Sequence, residues 1–169
     1  MPVASPIHEF LQKAHVSYTV LPHKPAYTAQ EEAASIHIPG RDWAKVIVCI
    51  VDGEPIEAVL PACAVVNLDR LLTLAGGRKI RLAREHELLQ LYPDCEPGAM
   101  PPFGPLYGQS VFVDAALATE PEIVFNGGTH TEAIRMQWAD FAATVRPIVG
   151  RFAEIPCINA GGFRSSFWE

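Results

Sequence analysis

Ile7, Phe10, Leu11 and Ala14 recur at the three-to-four spacing of a helix with one apolar face, and Ser5-Pro6 ahead of them supplies a cap and a first-turn proline. Between Val16 and Val20 the pattern changes to the alternation of a strand. Thr28 followed three residues later by Glu31 is a capping box, which predicts a short helix ending near Ile36, before Pro39-Gly40. Two apolar, β-branched runs come next, Ala44 to Val51 and Ile56 to Leu60. The turn Asp52-Gly53-Glu54-Pro55 between them predicts a hairpin.

Asn67 is placed to cap a helix through Leu74 that stops at Gly76-Gly77. Lys79 to Leu82 reads as a strand and Arg84 to Leu91 as a helix ended by Pro93. Ser110 to Asp114 and Glu122 to Phe125 are apolar strands. Gly127-Gly128 then turns the chain toward a strand from His130 to Met136, and Trp138 to Thr144 closes as a helix before Pro147. Strands and helices interleave without a strict βαβ order. The expected fold class is therefore α+β, a curved mixed β-sheet with packed helices. No repeat and no linker divides the chain, so residues 1–147 form one expected domain and 148–169 an extension, either laid over the core or partly disordered.

With 169 residues the chain can bury a full core, and 49% hydrophobic against 19% charged residues describes a globular rather than a disordered protein. No apolar run approaches the ~20 residues of a membrane span, and MPVASPIHEF lacks the regions of a signal peptide, so a cytoplasmic protein without membrane contact is expected. Cys49, Cys63, Cys95 and Cys157 show no metal-ligand spacing, which leaves neither a metal site nor a disulfide framework to expect. The net charge of −6 argues against a broad nucleic-acid surface, though not against a grip on the end of one. Arg78, Lys79, Arg81 and Arg84 form the one basic cluster, read first as a solvated strand edge.

Candidate chemistry concentrates in three places. Pro93 to Gly108, PDCEPGAMPPFGPLYG, is so rich in Gly and Pro that it predicts a shaped loop presenting backbone N–H groups. Lys45 is the only charge between Trp43 and Val51; it either points to solvent at a strand head or brings an ammonium to a phosphate or carboxylate. His130 follows Asn126-Gly127-Gly128-Thr129, where the glycines let backbone approach a ligand and the imidazole can hydrogen-bond it. A nucleophile elbow, a zinc-protease helix, a P-loop and a dinucleotide fingerprint are all missing, so no cofactor is expected. Cys95 is a candidate thiol with packing as its plainer role.

Taken in order, Lys45 at the head of AKVIVCIVDG, LPACAVVNLDRLL, EPGAMPPFG, VFVDAAL, EIVFNGGTHTEAIRM and WADF resemble the YbaK/ProX family of aminoacyl-tRNA editing domains. The resemblance runs from about Ile7 to Pro147 and implies hydrolysis of the ester that joins a wrong amino acid to the terminal adenosine of tRNA. Carried over by position, it implies catalytic roles for Lys45, Gly98 and His130. Ala99, Pro101, Pro102, Phe103, Gly104, Gly127 and Gly128 become substrate-binding residues. The chain departs from the family pattern in the apolar CAVVN segment at Cys63 to Asn67, in Asn126, and in the tail after Pro147.

Such chemistry needs no nucleophile of the protein's own, because the ester is already activated and a pocket has only to place water and stabilise an oxyanion. The expectation is a trans-acting deacylase for a small amino acid, working as a monomer or weak homodimer. Its expected partner is the acceptor end of a mischarged tRNA, with an aminoacyl-tRNA synthetase as a second candidate. The alternative is a non-catalytic module that binds or senses the same amino acid or aminoacyl-tRNA. A hydrolase built on Cys95 is a third.

Overall fold

The computed structural model describes residues 5–23 and 42–154. The helix expected from Thr28 to Ile36 lies outside the described residues, as does Cys157. Helix α1 (Ser5–Lys13) turns Ile7 and Leu11 fully inward, as its spacing requires, and β1 (Tyr18–Pro22) follows. Strands β2 (Ala44–Val51) and β3 (Glu54–Pro61) pair along their whole length as a hairpin. Val51 pairs with Glu54, so the turn is Asp52-Gly53 alone, two residues shorter than the sequence suggests. Both have positive φ, 50° and 86°, the left-handed pair whose twist matches the flanking strands. Asp52 also accepts the amides of Arg78 and Lys79 at 3.1 and 2.9 Å, which fastens β5 (Ile80–Leu82) to the hairpin tip.

Between them lie β4 (Val65–Val66) and α2 (Leu68–Ala75). Asn67 caps α2 by accepting the Arg70 amide at 3.0 Å, and Gly76 ends it with φ 74°. Helix α3 (Glu85–Leu91) precedes the Gly/Pro loop, whose only regular piece is a 3-10 turn at Gly104–Tyr107. The chain continues through β6 (Ser110–Asp114), α4 (Ala115–Ala118), β7 (Glu122–Thr129), β8 (Glu132–Gln137), α5 (Trp138–Val145), β9 (Ile148–Gly150) and β10 (Ala153–Glu154).

The strands form a five-stranded sheet of order β5-β2-β3-β6-β9, a three-stranded sheet β1-β8-β7 and a β10-β4 pair. The large sheet is mixed: β2 runs antiparallel to β3 and β5, whereas β3-β6 and β6-β9 are parallel. A parallel bridge from Trp43 to Val124 ties it to the smaller sheet. The fold is α+β, with a mixed sheet and helices packed on it.

Two clusters fill its faces. Val59, Phe103, Phe125, Ile134 and Phe141 pack with α1 on one side, and Ala58, Leu60, Leu71, Phe112 and Phe152 on the other. Their alternation along β3 is that of a central strand buried on both faces. Beyond Pro147 the chain stays in the fold at least to Glu154: Phe152 is fully buried, and Asp114 accepts the Phe152 and Ala153 amides at 2.9 and 2.8 Å. The turn expected at Gly127-Gly128 falls instead at His130-Thr131, because β7 runs through both glycines with an irregular register between Asn126 and Thr129.

Candidate functional site

The irregular end of β7 and the Gly/Pro loop are built against each other. Gly128, at φ 97°, donates its amide to the Ala99 carbonyl at 3.0 Å, and its own carbonyl accepts the Glu96 amide at 2.8 Å. The close backbone approach that the two glycines promise is thus an approach to the loop. Glu96 returns a side-chain bond, its carboxylate accepting the His130 amide at 2.6 Å. The imidazole closes the arrangement with Nε2 placed 2.9 Å from the Pro97 carbonyl. A carbonyl only accepts, so Nε2 carries the proton and a neutral ring leaves Nδ1 as its acceptor.

Gly98 sits between these anchors with φ 87°, a conformation that side chains rarely adopt. A Cβ there would lie 3.5 Å from His130 Cε1, ordinary contact, so it is the backbone angle and not space that demands glycine. Gly98 is exposed, and its amide donates to the Met100 thioether at 3.2 Å. Sulfur is a weak acceptor, so this N–H is less firmly engaged than one bonded to a carbonyl. The next amide is better held, Ala99 donating to the Glu96 carbonyl at 2.9 Å, and farther along the loop the Gly104 amide faces the Glu57 carboxyl.

The remaining loop positions stand behind that surface. Ala99, Pro101, Pro102, Phe103 and Gly104 are all buried. The Phe103 ring belongs to the core, edge-on to Phe125 at 5.2 Å and tilted against Phe10 at 5.1 Å. Gly104 has no room for a Cβ, which would meet the Gln109 carbonyl and Val111 Cγ2 at 2.4 Å each.

Lys45 approaches from elsewhere. By the alternation of β2 it shares a face with Ile47 and Cys49, whereas Val46 and Val48 pack beneath the loop. It therefore stands at the end of the large sheet, two residues beyond the bridge to β7, and outside the contacts that join Gly98 to His130. Burial pulls its ammonium below the usual lysine range, with Cys63 nearby opposing the shift. At the same end of the sheet, Arg70, Asp114 and Arg151 line an open cleft of about 350 Å³. Arg81 of the basic cluster is engaged by Glu87 at 2.8 Å on the β5 edge, in keeping with a solvated strand edge.

Sequence reasoning passed over a polar group under the loop. Glu57 is fully buried in β3, with the Tyr92 hydroxyl 2.6 Å from its Oε2, and that hydroxyl also lies 3.0 Å from Gln109 Oε1. Burial raises the Glu57 carboxyl to about 8, against the lowering effects of Tyr92 and the Gly104 amide. The signal in the sequence was a lone acid in the apolar run Ile56 to Leu60, the same kind of signal that drew attention to Lys45. Cys95 is half-buried with its Sγ 3.4 Å from the Tyr107 hydroxyl, and burial pushes its thiol up to about 11. Such a thiol is protonated at neutral pH and a poor nucleophile.

Comparisons with known proteins bear on the family and the fold. A family model described as an aminoacyl-tRNA editing domain matches residues 23–144. No curated protein matches the chain at a significant level. Among solved structures, the hypothetical protein APE2540 is similar at TM-score 0.80 and 20% identity, over 89% of this chain and 100% of that one. A crystal structure provisionally described as a trans-editing enzyme for prolyl tRNA synthetase is similar at TM-score 0.77 and 22% identity, over 91% of this chain and 98% of that one. At these identities the two structures speak to the fold.

Proposed function

The chain belongs to the aminoacyl-tRNA editing domain family, and on that premise we propose that it is a trans-acting deacylase that removes a small amino acid from mischarged tRNA. The observation that carries this reading is Gly98 itself, an exposed residue held at positive φ beside His130 with its N–H on a weak acceptor. In the proposed reaction water adds to the ester carbonyl and the Gly98 N–H receives the oxyanion as it forms. Collapse then breaks the bond to the ribose oxygen, which takes a proton, and amino acid and tRNA leave. His130 holds Pro97 so that the donor is fixed before the substrate arrives, which is where such a donor gains its effect.

Lys45 is assigned to the acceptor end of the tRNA, where the single positive charge of its ammonium suffices because the grip is on the terminus rather than on a long backbone. Ala99 and the buried prolines shape the wall from behind rather than touching substrate through side chains. A panel of tRNAs charged with alanine, serine, threonine, proline, phenylalanine and tyrosine tests the proposal. Release of a small amino acid supports it. Binding without release makes the protein a sensing module instead, and rapid release of phenylalanine or tyrosine overturns the size preference.

A further inference from the structure

The polar group under the loop contains one hydrogen too few for the obvious assignment. Tyr92 Oη lies 2.6 Å from Glu57 Oε2 and 3.0 Å from Gln109 Oε1, yet a phenol has a single proton to donate. An ionised Glu57 would take that proton and leave two oxygens facing each other at the second contact. A protonated Glu57 resolves both contacts, donating to Tyr92 Oη while Tyr92 donates to Gln109. The other resolution turns the Gln109 amide around and leaves a full negative charge on Glu57 in the interior.

The surroundings favour the neutral acid. Glu57 is fully buried, and its register neighbours are Val48 on β2 and Val111 on β6. The titratable groups that face it are Tyr92 after α3, Cys95 in the loop and Tyr107 in the 3-10 turn, all pushed up by burial and so neutral themselves. No cation acts on the carboxyl among the described residues. An unpaired buried carboxylate is costly, and protonation removes the cost.

The position of the group gives it a role. Tyr92 is the last residue before the loop and Gln109 the first after it, and the Gly104 amide within the loop faces the same carboxyl. Gln109 also donates its backbone amide to the Gly104 carbonyl at 2.8 Å. We propose that Glu57 is a positioning residue that, held protonated, ties both ends of the Gly98-bearing loop to the middle of β3, so that its ionisation loosens the loop and weakens deacylation. As a statement about activity this rests on the deacylase reading; as a statement about the loop it does not.

The test therefore has two arms. In protein carrying ¹³C-labelled glutamate carboxyls, the resonance that Glu57→Gln removes should stay at the shift of a neutral acid through pH 7 and move with a midpoint near 8. The Gly98 and Gly104 amide resonances should move with that midpoint in the wild type and stay still in Glu57→Gln, whose amide donates to Tyr92 as the neutral acid does. In the second arm, wild-type kcat/KM for deacylation, corrected for spontaneous hydrolysis, should fall about tenfold between pH 7 and 9 through this ionisation, while Glu57→Gln does not share the fall. An ionised carboxyl at pH 6, loop amides that ignore the midpoint, or a shared alkaline fall overturns the proposal. If no charged tRNA is hydrolysed, the deacylase reading fails while the first arm still decides the loop.

Discussion

In the proposed reaction Gly98 and His130 divide one task between a backbone amide and a ring nitrogen. The amide is held only by a thioether, and the carbonyl preceding it is held by His130 Nε2. Gly98→Val should therefore lower deacylation by about 10²-fold, the usual cost of one oxyanion donor, while the strained φ costs about 1–2 kcal/mol of stability. Steady-state rates beside urea melts check this; a variant that keeps full activity, or one that does not fold, removes Gly98 from the mechanism. His130→Ala should free Pro97 and loosen the loop, so amide exchange at Gly98 should quicken and the preference for small amino acids should narrow. Unchanged exchange with unchanged selectivity would show that the imidazole is no strut.

The loop is shaped by what lies under it more than by its own prolines. Phe103 drives its middle into the aromatic core with Phe10, Phe125 and Phe141, and Gly104 passes where no side chain fits. Phe103→Ala should cost about 3–5 kcal/mol in chemical denaturation, the range for an aromatic removed from a packed core. Its effect on deacylation should exceed that of an equally destabilising change in the α2-side cluster, such as Leu71→Ala, measured where both variants remain folded. Equal losses of activity would mean that the loop is not specially coupled to this core. Because β7 is continuous through Gly127 and Gly128, the loop rests on a strand at one side and on β3 at the other.

For the molecule as a whole, net charge and a buried acid set the response to solution conditions. With a charge of −6, attraction to RNA must be local, so binding of tRNA should show a shallow salt dependence. Lys45→Ala should reduce the slope of log K against log salt by about one counterion, and an unaltered slope would exclude Lys45 from phosphate contact. Folding stability should also carry the mark of Glu57. Its folded pKa, about 8, is raised above the ordinary 4.5, so the folded state binds the extra proton between those values. Its contribution is complete below about pH 4.5, is lost as pH rises toward about 8, and changes no further above that. Urea melts across this range should show the wild type losing stability relative to Glu57→Gln; parallel curves would mean that the acid titrates normally.

What the sequence determined by itself is what depends on neighbours along the chain. The α1 face, the Asn67 cap, the Gly76 stop, the β2-β3 hairpin and β6 all rest on local spacing, capping chemistry or turn residues, and all appear. The ordered motifs from Lys45 to Trp138 likewise carried the family. Local signals misplaced the β7 turn because a Gly-Gly pair fits a turn and a strand bulge equally well; the bonds that Gly128 donates to Ala99 and accepts from Glu96, some thirty residues upstream, settle which one it is. Nor could spacing show that Val46 and Val48, on either side of Ile47, would pack beneath the loop, since that depends on which elements close over β2. Whether Glu57 carries a proton was also beyond the sequence. That depends on β2, β6, Tyr92 and the loop closing around one carboxyl, and only the folded chain excludes water from it.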